Sequence, residues 1–181
     1  METTQNLYTP GTIRLHSGRY VDVTGLTKDD IQLEDIAHGL SHRCRFSGHT
    51  VRFYSVLEHS LRVAELVPAE HQLAALLHDA SEAYLFDMPS PVKQFFPQLV
   101  DLEHRVSMVI FQRFGLLSSW PLAEVIKRAD TRALEEEWAG LMISDNNNMG
   151  HRDPKNVRAA WLFAVRARLR ERGMVQEGGA V

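Results

Sequence analysis

From Ser55 onward the apolar residues recur at helical spacing, and this restricts the chain to a mostly helical architecture more than any other feature does. SVLEHSLRVAELV carries Val56, Leu57, Leu61, Val63, Ala64 and Val67. After the Pro68 break, AEHQLAALLHDASEAYL carries Leu73, Leu76, Leu77 and Ala80, and the spacing predicts one helix through the whole segment. QLVDLEHRVSMVIFQRFG predicts a long helix closed by Gly115. SSWPLAEVIKRADTRALEEEWAGLMI predicts another, begun at Ser118 or Ser119 with Pro121 in its first turn. NVRAAWLFAVRARLRERG predicts the last.

The segments outside this pattern are short. TIRLHSGRYVDV alternates on both sides of Ser17-Gly18 and predicts a hairpin. TKDDIQLEDIAHGL predicts a helix, with Thr27, Asp29 and Asp30 at its start and Ile31, Ile36 and Leu40 on one side. SHRCRFSGHTVRFYS is irregular, basic and aromatic, with a turn at Gly48. FDMPSPVKQFF is a proline-broken loop running into a short helix, and DNNNMGHRDP a polar loop. The expected fold class is all-α, a helical bundle with a small N-terminal β-hairpin. Residues 1–181 form a single domain, 1–26 being the hairpin extension and 174–181 a loose tail.

Bulk properties narrow the function classes. A net charge of −3 provides no global basic field, so no stable nucleic-acid partner is expected. The single Cys44 rules out an internal disulfide and a thiolate metal cluster, and it fits a reducing cytoplasm. METTQNLYTPG has no apolar core of a signal peptide, and no apolar run approaches a membrane span.

Against this background, His78, Asp79 and Glu82 intrude on an apolar helix, and Asp87 follows just before two prolines. Unpaired charge in an apolar setting costs several kcal/mol, roughly, even after relaxation. A divalent cation removes that cost by turning imidazole and carboxylates into ligands. His59, polar on the amphipathic SVLEHSLRVAELV, is a second candidate. Asp130, bordering the stripe Leu122, Ile126, Ala129 and Ala133, is a third. Taken singly, each has a plainer reading as a satisfied boundary histidine or a solvated acid.

The order H…HD…D resembles the HD-domain phosphohydrolase superfamily. EHSLRVAEL, LLHDASEAYLFDMPSPVK, KRADTRAL and CRFSGHTVRFYSVLEHS together resemble the bacterial 5′-deoxynucleotidases of the YfbR type and the related phage dATP triphosphohydrolases called DatZ, from about Ile31 to Leu134. The resemblance implies that His59, His78, Asp79 and Asp130 hold one divalent metal (Mn, Co, Zn, Ni or Fe), with Mg conceivable at a second site. It implies that Glu82 is the acid/base acting on water, with Asp87 beside it. Met88, Pro89 and Ser90 fall where that branch contacts substrate, although Phe86 stands where the branch has a small glycine. The branch's arginine–aromatic pair falls on Arg45 and Phe46 with a one-residue gap, and Arg43 or Arg52 could compete for the role. Arg45 would neutralise phosphate, Phe46 would stack on the base, and the protein would be a homo-oligomer.

The expected function is hydrolysis of a deoxynucleotide at its 5′ phosphoester, giving phosphate from a monophosphate or triphosphate from a dNTP such as dATP. Arg43, Arg52, Lys93 or Arg132 could serve the triphosphate case. The alternative from another class is a non-catalytic HD module that binds a nucleotide as sensor or scaffold. The run Glu135-Glu136-Glu137 reads as a solvated face, Trp138 and Trp161 as core or subunit-contact residues. His104 reads as a helix-surface residue, His49 and Tyr54 as turn packing. His16, His38, His42, His71 and His151 have no partner that the sequence names.

Overall fold

A computed structural model describes residues 9–119, 121–144, 149 and 152–174. The expected tail from 175 onward, most of the loop at 145–151 and His151 lie outside the described residues.

Strand β1 (Thr12–Arg14) pairs antiparallel with β2 (Tyr20–Asp22), Ile13 opposite Val21. Seven α-helices follow among the described residues: α1 (Leu33–Ser41), α2 (Val56–Glu65), α3 (Ala69–Leu76), α4 (Ser90–Lys93), α5 (Pro97–Arg113), α6 (Glu124–Glu137) and α7 (Pro154–Glu171). No described helix is long and apolar enough to cross a membrane.

Three predicted helices are revised. The segment from Thr27 divides into a 3-10 turn at Lys28–Asp30 and helix α1, because the Asp30 carboxylate returns to Thr27 N–H at 2.9 Å and closes the turn on itself. Helix α3 stops at Leu76. His78 and Asp79 lie on the turn beyond it, and Glu82 on a separate 3-10 turn, Ala80–Ala83. The His78 ring closes that helix end, its Nδ1 donating to the Ala75 carbonyl at 2.7 Å. Helix α6 begins at Glu124 rather than near Ser118, so Pro121 precedes it; Leu117–Ser119 forms its own short turn. Beyond Glu137 the chain loosens into a π-helical turn, Trp138–Ile143.

One apolar core joins the hairpin to the helices. Val21 and Val23 meet Ile31, Leu33, Ile36 and Leu40 of the α1 region, and Leu57, Leu73, Ile110, Phe111 and Trp161 complete it. Trp161 is fully buried, and its Nε1 donates to the Leu76 carbonyl at 3.0 Å. This ties α7 to the last turn of α3, one residue before the segment that carries His78. Gly39 allows α1 an unusually close approach to the Ala80–Ala83 turn. A Cβ there would lie 3.2 Å from the Ala83 Cβ and 3.3 Å from its carbonyl oxygen.

Three histidines that the sequence left without partners meet at the hairpin–α1–α7 junction. The His16 and His38 rings stack at 3.6 Å, the His38 and His42 centroids are 4.2 Å apart, and Arg158 approaches His38 Nδ1 at 3.2 Å. Burial, then His42, His16 and Arg158, lower the His38 pKa, and Asp35 opposes them. The unfolded state therefore takes up this proton first. Stability from this contact is present above the ordinary imidazole pKa of about 6.5 and is lost as pH falls through it. The melting temperature of His38→Gln is expected to fall less than that of the natural protein between about pH 7 and about pH 5. Equal slopes in a thermal melt series would refute the assignment.

Candidate metal centre

The site is assembled from three parts of the chain. Helix α2 opens with a capping box: Glu58 N–H donates to Ser55 Oγ at 3.2 Å, and Ser55 N–H donates to the Glu58 carboxylate at 2.9 Å. This start points His59 into the interior, where it is fully buried. The broken end of α3 delivers His78 and Asp79, and α6 delivers Asp130.

Ligand atoms of His59, His78 and Asp79 lie within 4.8 Å of one another and could hold a metal ion. Asp79 Oδ2 is 3.6 Å from His59 Nε2 and 3.2 Å from His78 Nε2. Asp130 Oδ1 is 3.0 Å and 3.9 Å from the same two nitrogens. Both Nε2 atoms are buried without an acceptable hydrogen-bond partner. On the far side of each ring, Nδ1 faces an acceptor: Ala75 O for His78, Glu137 Oε1 at 2.7 Å for His59. Nδ1 therefore carries a proton in both, and Nε2 is the nitrogen that each ring can offer to a metal. Orphaned imidazole nitrogens facing carboxylates are the donor set a divalent cation takes.

Electrostatics agree. Burial disfavours charge on His59, yet Asp130 and Glu137 outweigh it and carry its pKa up to about 9. For Asp79, burial is outweighed by His78 and His59, which hold its carboxyl well below the usual range. The cluster thus demands positive charge, which a cation supplies in place of protons.

A cavity of about 720 Å³ adjoins the cluster, with Asp79 and Asp130 in its lining. Every other site residue expected from the sequence also lines it: Glu82, Asp87, Arg45, Phe46, Met88, Pro89 and Ser90. Glu82 is buried, one carboxylate oxygen has no hydrogen-bond partner, and burial followed by the Asp79 and Asp87 charges raises its pKa well above the ordinary value. Burial also raises Asp87. Arg45 reaches the cavity because the loop from Cys44 to Ser55 is pinned at its base, Arg45 N–H donating to Tyr54 O and Val56 N–H to Arg43 O, both at 2.9 Å. Arg43 does not line the cavity; it donates to the Leu85 carbonyl at 3.1 Å and lies within the field of the Glu82 and Asp87 carboxylates. Of the residues considered for extra phosphates, Lys93 lines the cavity, and Arg132 is exposed and pairs with Glu136. Phe46 and Ser47 have φ of 53° and 54°, the two non-glycine residues with positive φ among the described residues. Such strain clusters at functional sites.

Glu137 was misread from sequence, and Trp138, read as core or subunit contact, is not core. Glu137 is fully buried rather than solvated, because α6 turns it inward beneath His59 and Arg45. Trp138 is half exposed and lines the cavity, its ring 5.7 Å from Phe46 in an edge-to-face arrangement. Glu135, though it lines the cavity, is exposed as expected, and Glu136 pairs with Arg62 at the surface. Trp161 is core, as expected.

Fold and site together define a helical protein in which two buried histidines and a half-buried aspartate could hold a metal ion. No family model matches the chain. It is 39% identical over 137 residues to the uncharacterized protein YfdR of Escherichia coli (strain K12), covering 75% of each chain. It is 40% identical over 171 residues to the uncharacterized protein RCAP_rcc00048 of Rhodobacter capsulatus, covering 86% of each. The chain belongs to the family that contains these two proteins.

Proposed function

We propose that the protein is a metal-dependent HD-type phosphohydrolase that cleaves the 5′ phosphoester of deoxynucleotides, with Asp130 as the fourth metal ligand. The observation that carries this reading is the pair of orphaned His59 and His78 Nε2 atoms facing two carboxylates at the edge of a cavity that also contains Glu82, Asp87 and Arg45. The nucleotide and its deoxyribose rest on the resemblance in sequence.

A divalent cation in this cluster supplies Lewis acidity toward a phosphoryl oxygen and acidifies water. Glu82, whose carboxyl pKa is raised well above its ordinary value by burial and by Asp79 and Asp87, suits proton transfer between the attacking water and the leaving 5′ oxygen. Asp87 shares this task from the proline-stiffened loop. Arg45 offsets phosphoryl charge, and Phe46 with Trp138 offers aromatic surface to a base.

The lining favours few phosphates. It carries five carboxylates (Asp79, Glu82, Asp87, Asp130 and Glu135) against two cations, Arg45 and Lys93. Both cations are already paired, with Glu137 and Glu103 respectively. A monophosphate, with roughly −2 charge, is therefore better matched than a triphosphate once one cation is bound.

With Mn²⁺ or Co²⁺, the protein is expected to release orthophosphate from at least one deoxynucleoside monophosphate faster than it attacks any dNTP. A chromatographic product assay across dNMPs and dNTPs checks this. Triphosphate release at the higher rate overturns the monophosphate assignment, and no turnover of any member with either metal overturns the enzyme reading.

A further inference from the structure

Glu137 is the last residue of α6 and is fully buried. A buried carboxylate is costly unless each oxygen is met by a donor. Here the two oxygens serve different partners. Oε1 accepts from His59 Nδ1 at 2.7 Å. Oε2 accepts from Arg45 Nε at 3.1 Å, with Nη2 also at 3.1 Å. One rigid group therefore touches the imidazole whose opposite nitrogen faces the metal cluster and the guanidinium that lines the cavity.

We propose that Glu137 is a positioning residue that sets the His59 tautomer for metal binding and aims Arg45 at the phosphate, so that the metal and phosphate ends of the site share one anchor. The Arg45 half rests on the phosphohydrolase reading; the His59 half requires only that the cluster bind a cation. A carboxylate can only accept, so His59 must carry its proton on Nδ1 and leave Nε2 as a donor atom for metal. Its second oxygen engages one edge of the guanidinium, restricting a flexible side chain to one orientation before any ligand arrives.

Glutamine at this position tests the idea with almost no change of shape. Its amide can present N–H to His59 and favour the opposite tautomer, with the proton on Nε2, where it blocks ligation. In the full-length protein, Glu137→Gln is expected to weaken Co²⁺ affinity about ten- to a hundred-fold by calorimetric titration and to alter the visible Co²⁺ absorption spectrum. Inorganic phosphate should bind the Co²⁺-saturated variant more weakly than the natural protein. Glu137→Asp keeps the charge but withdraws it by one methylene, and is expected to fall between the two. If the glutamine variant does not fold, the aspartate variant carries the test, and an unchanged Co²⁺ affinity there overturns the proposal. A lowered melting temperature with unchanged Co²⁺ affinity, spectrum and phosphate binding would mark Glu137 as merely structural and overturn it as well. A natural protein that binds no Co²⁺ defeats both readings. One that binds Co²⁺ in a Glu137-dependent way yet hydrolyses no nucleotide defeats only the phosphohydrolase reading.

Discussion

Glu82→Ala is expected to keep its affinity for Mn²⁺ or Co²⁺ while turnover of the best deoxynucleotide falls about 10²- to 10⁴-fold. The two halves have separate physical grounds. Glu82 lies outside the His59, His78 and Asp79 group, so its removal leaves those ligands in place. Its carboxyl is buried, has an oxygen without a hydrogen-bond partner, and faces the Asp79 and Asp87 charges. A group held this way opposes folding, whatever it does for the reaction. The alanine variant should therefore melt no lower than the natural protein, and removal of the repulsion favours a higher value. Calorimetric metal titration, a thermal melt and a phosphate-release assay on one preparation check all three statements. Retained turnover sinks the acid/base assignment, and lost cation binding makes Glu82 a ligand instead.

Trp161→Ala should destabilise the protein by about 3–5 kcal/mol, the usual cost of emptying a buried aromatic site. The indole is fully buried among α1, α2 and α3, and its N–H satisfies the Leu76 carbonyl at the end of α3. Trp161→Phe separates the two contributions. It keeps most of the ring but leaves that carbonyl unsatisfied, an expected loss of about 1–3 kcal/mol. Urea unfolding of the three proteins measures both steps. A phenylalanine variant as stable as the natural protein would show that the hydrogen bond contributes nothing.

Helices α2 and α5 were legible because each pairs a clear apolar stripe with a boundary, Ser55 and Gly115; the body of α7 was legible too, but its start at Pro154, capped by Asp153, falls in the segment read as a polar loop. His59, His78 and Asp79 were legible as candidates because a histidine or acid in an apolar stretch stands out, and the resemblance in sequence joined them into one metal set. The break after Leu76 was not, since Leu77 and Ala80 continue the helical pattern and the break is made by a side chain, His78, closing the helix end. Glu137 was hidden by composition. Within Glu135-Glu136-Glu137 it looks like one of three solvated acids. Counting along α6 would have found it, because Ile126, Ala129 and Ala133 are buried and position 137 continues their stripe by one more turn. Trp138 follows Asp130 and Leu134 at four-residue spacing, so it shares their cavity face at the end of α6.

The close packing of Gly39 against Ala83 acts on the site like the thickness of a shim. Glycine within a helix sacrifices up to about 1 kcal/mol relative to alanine. In return, α1 lets the backbone that carries Glu82 settle a few tenths of an ångström deeper than any side chain at position 39 would permit. Proton transfer is sensitive to displacements of that order. The position of the proposed acid/base is thus machined by a residue that contributes no atom to the cavity, and the first helix, which supplies none of the proposed ligands, sets the clearance for Glu82.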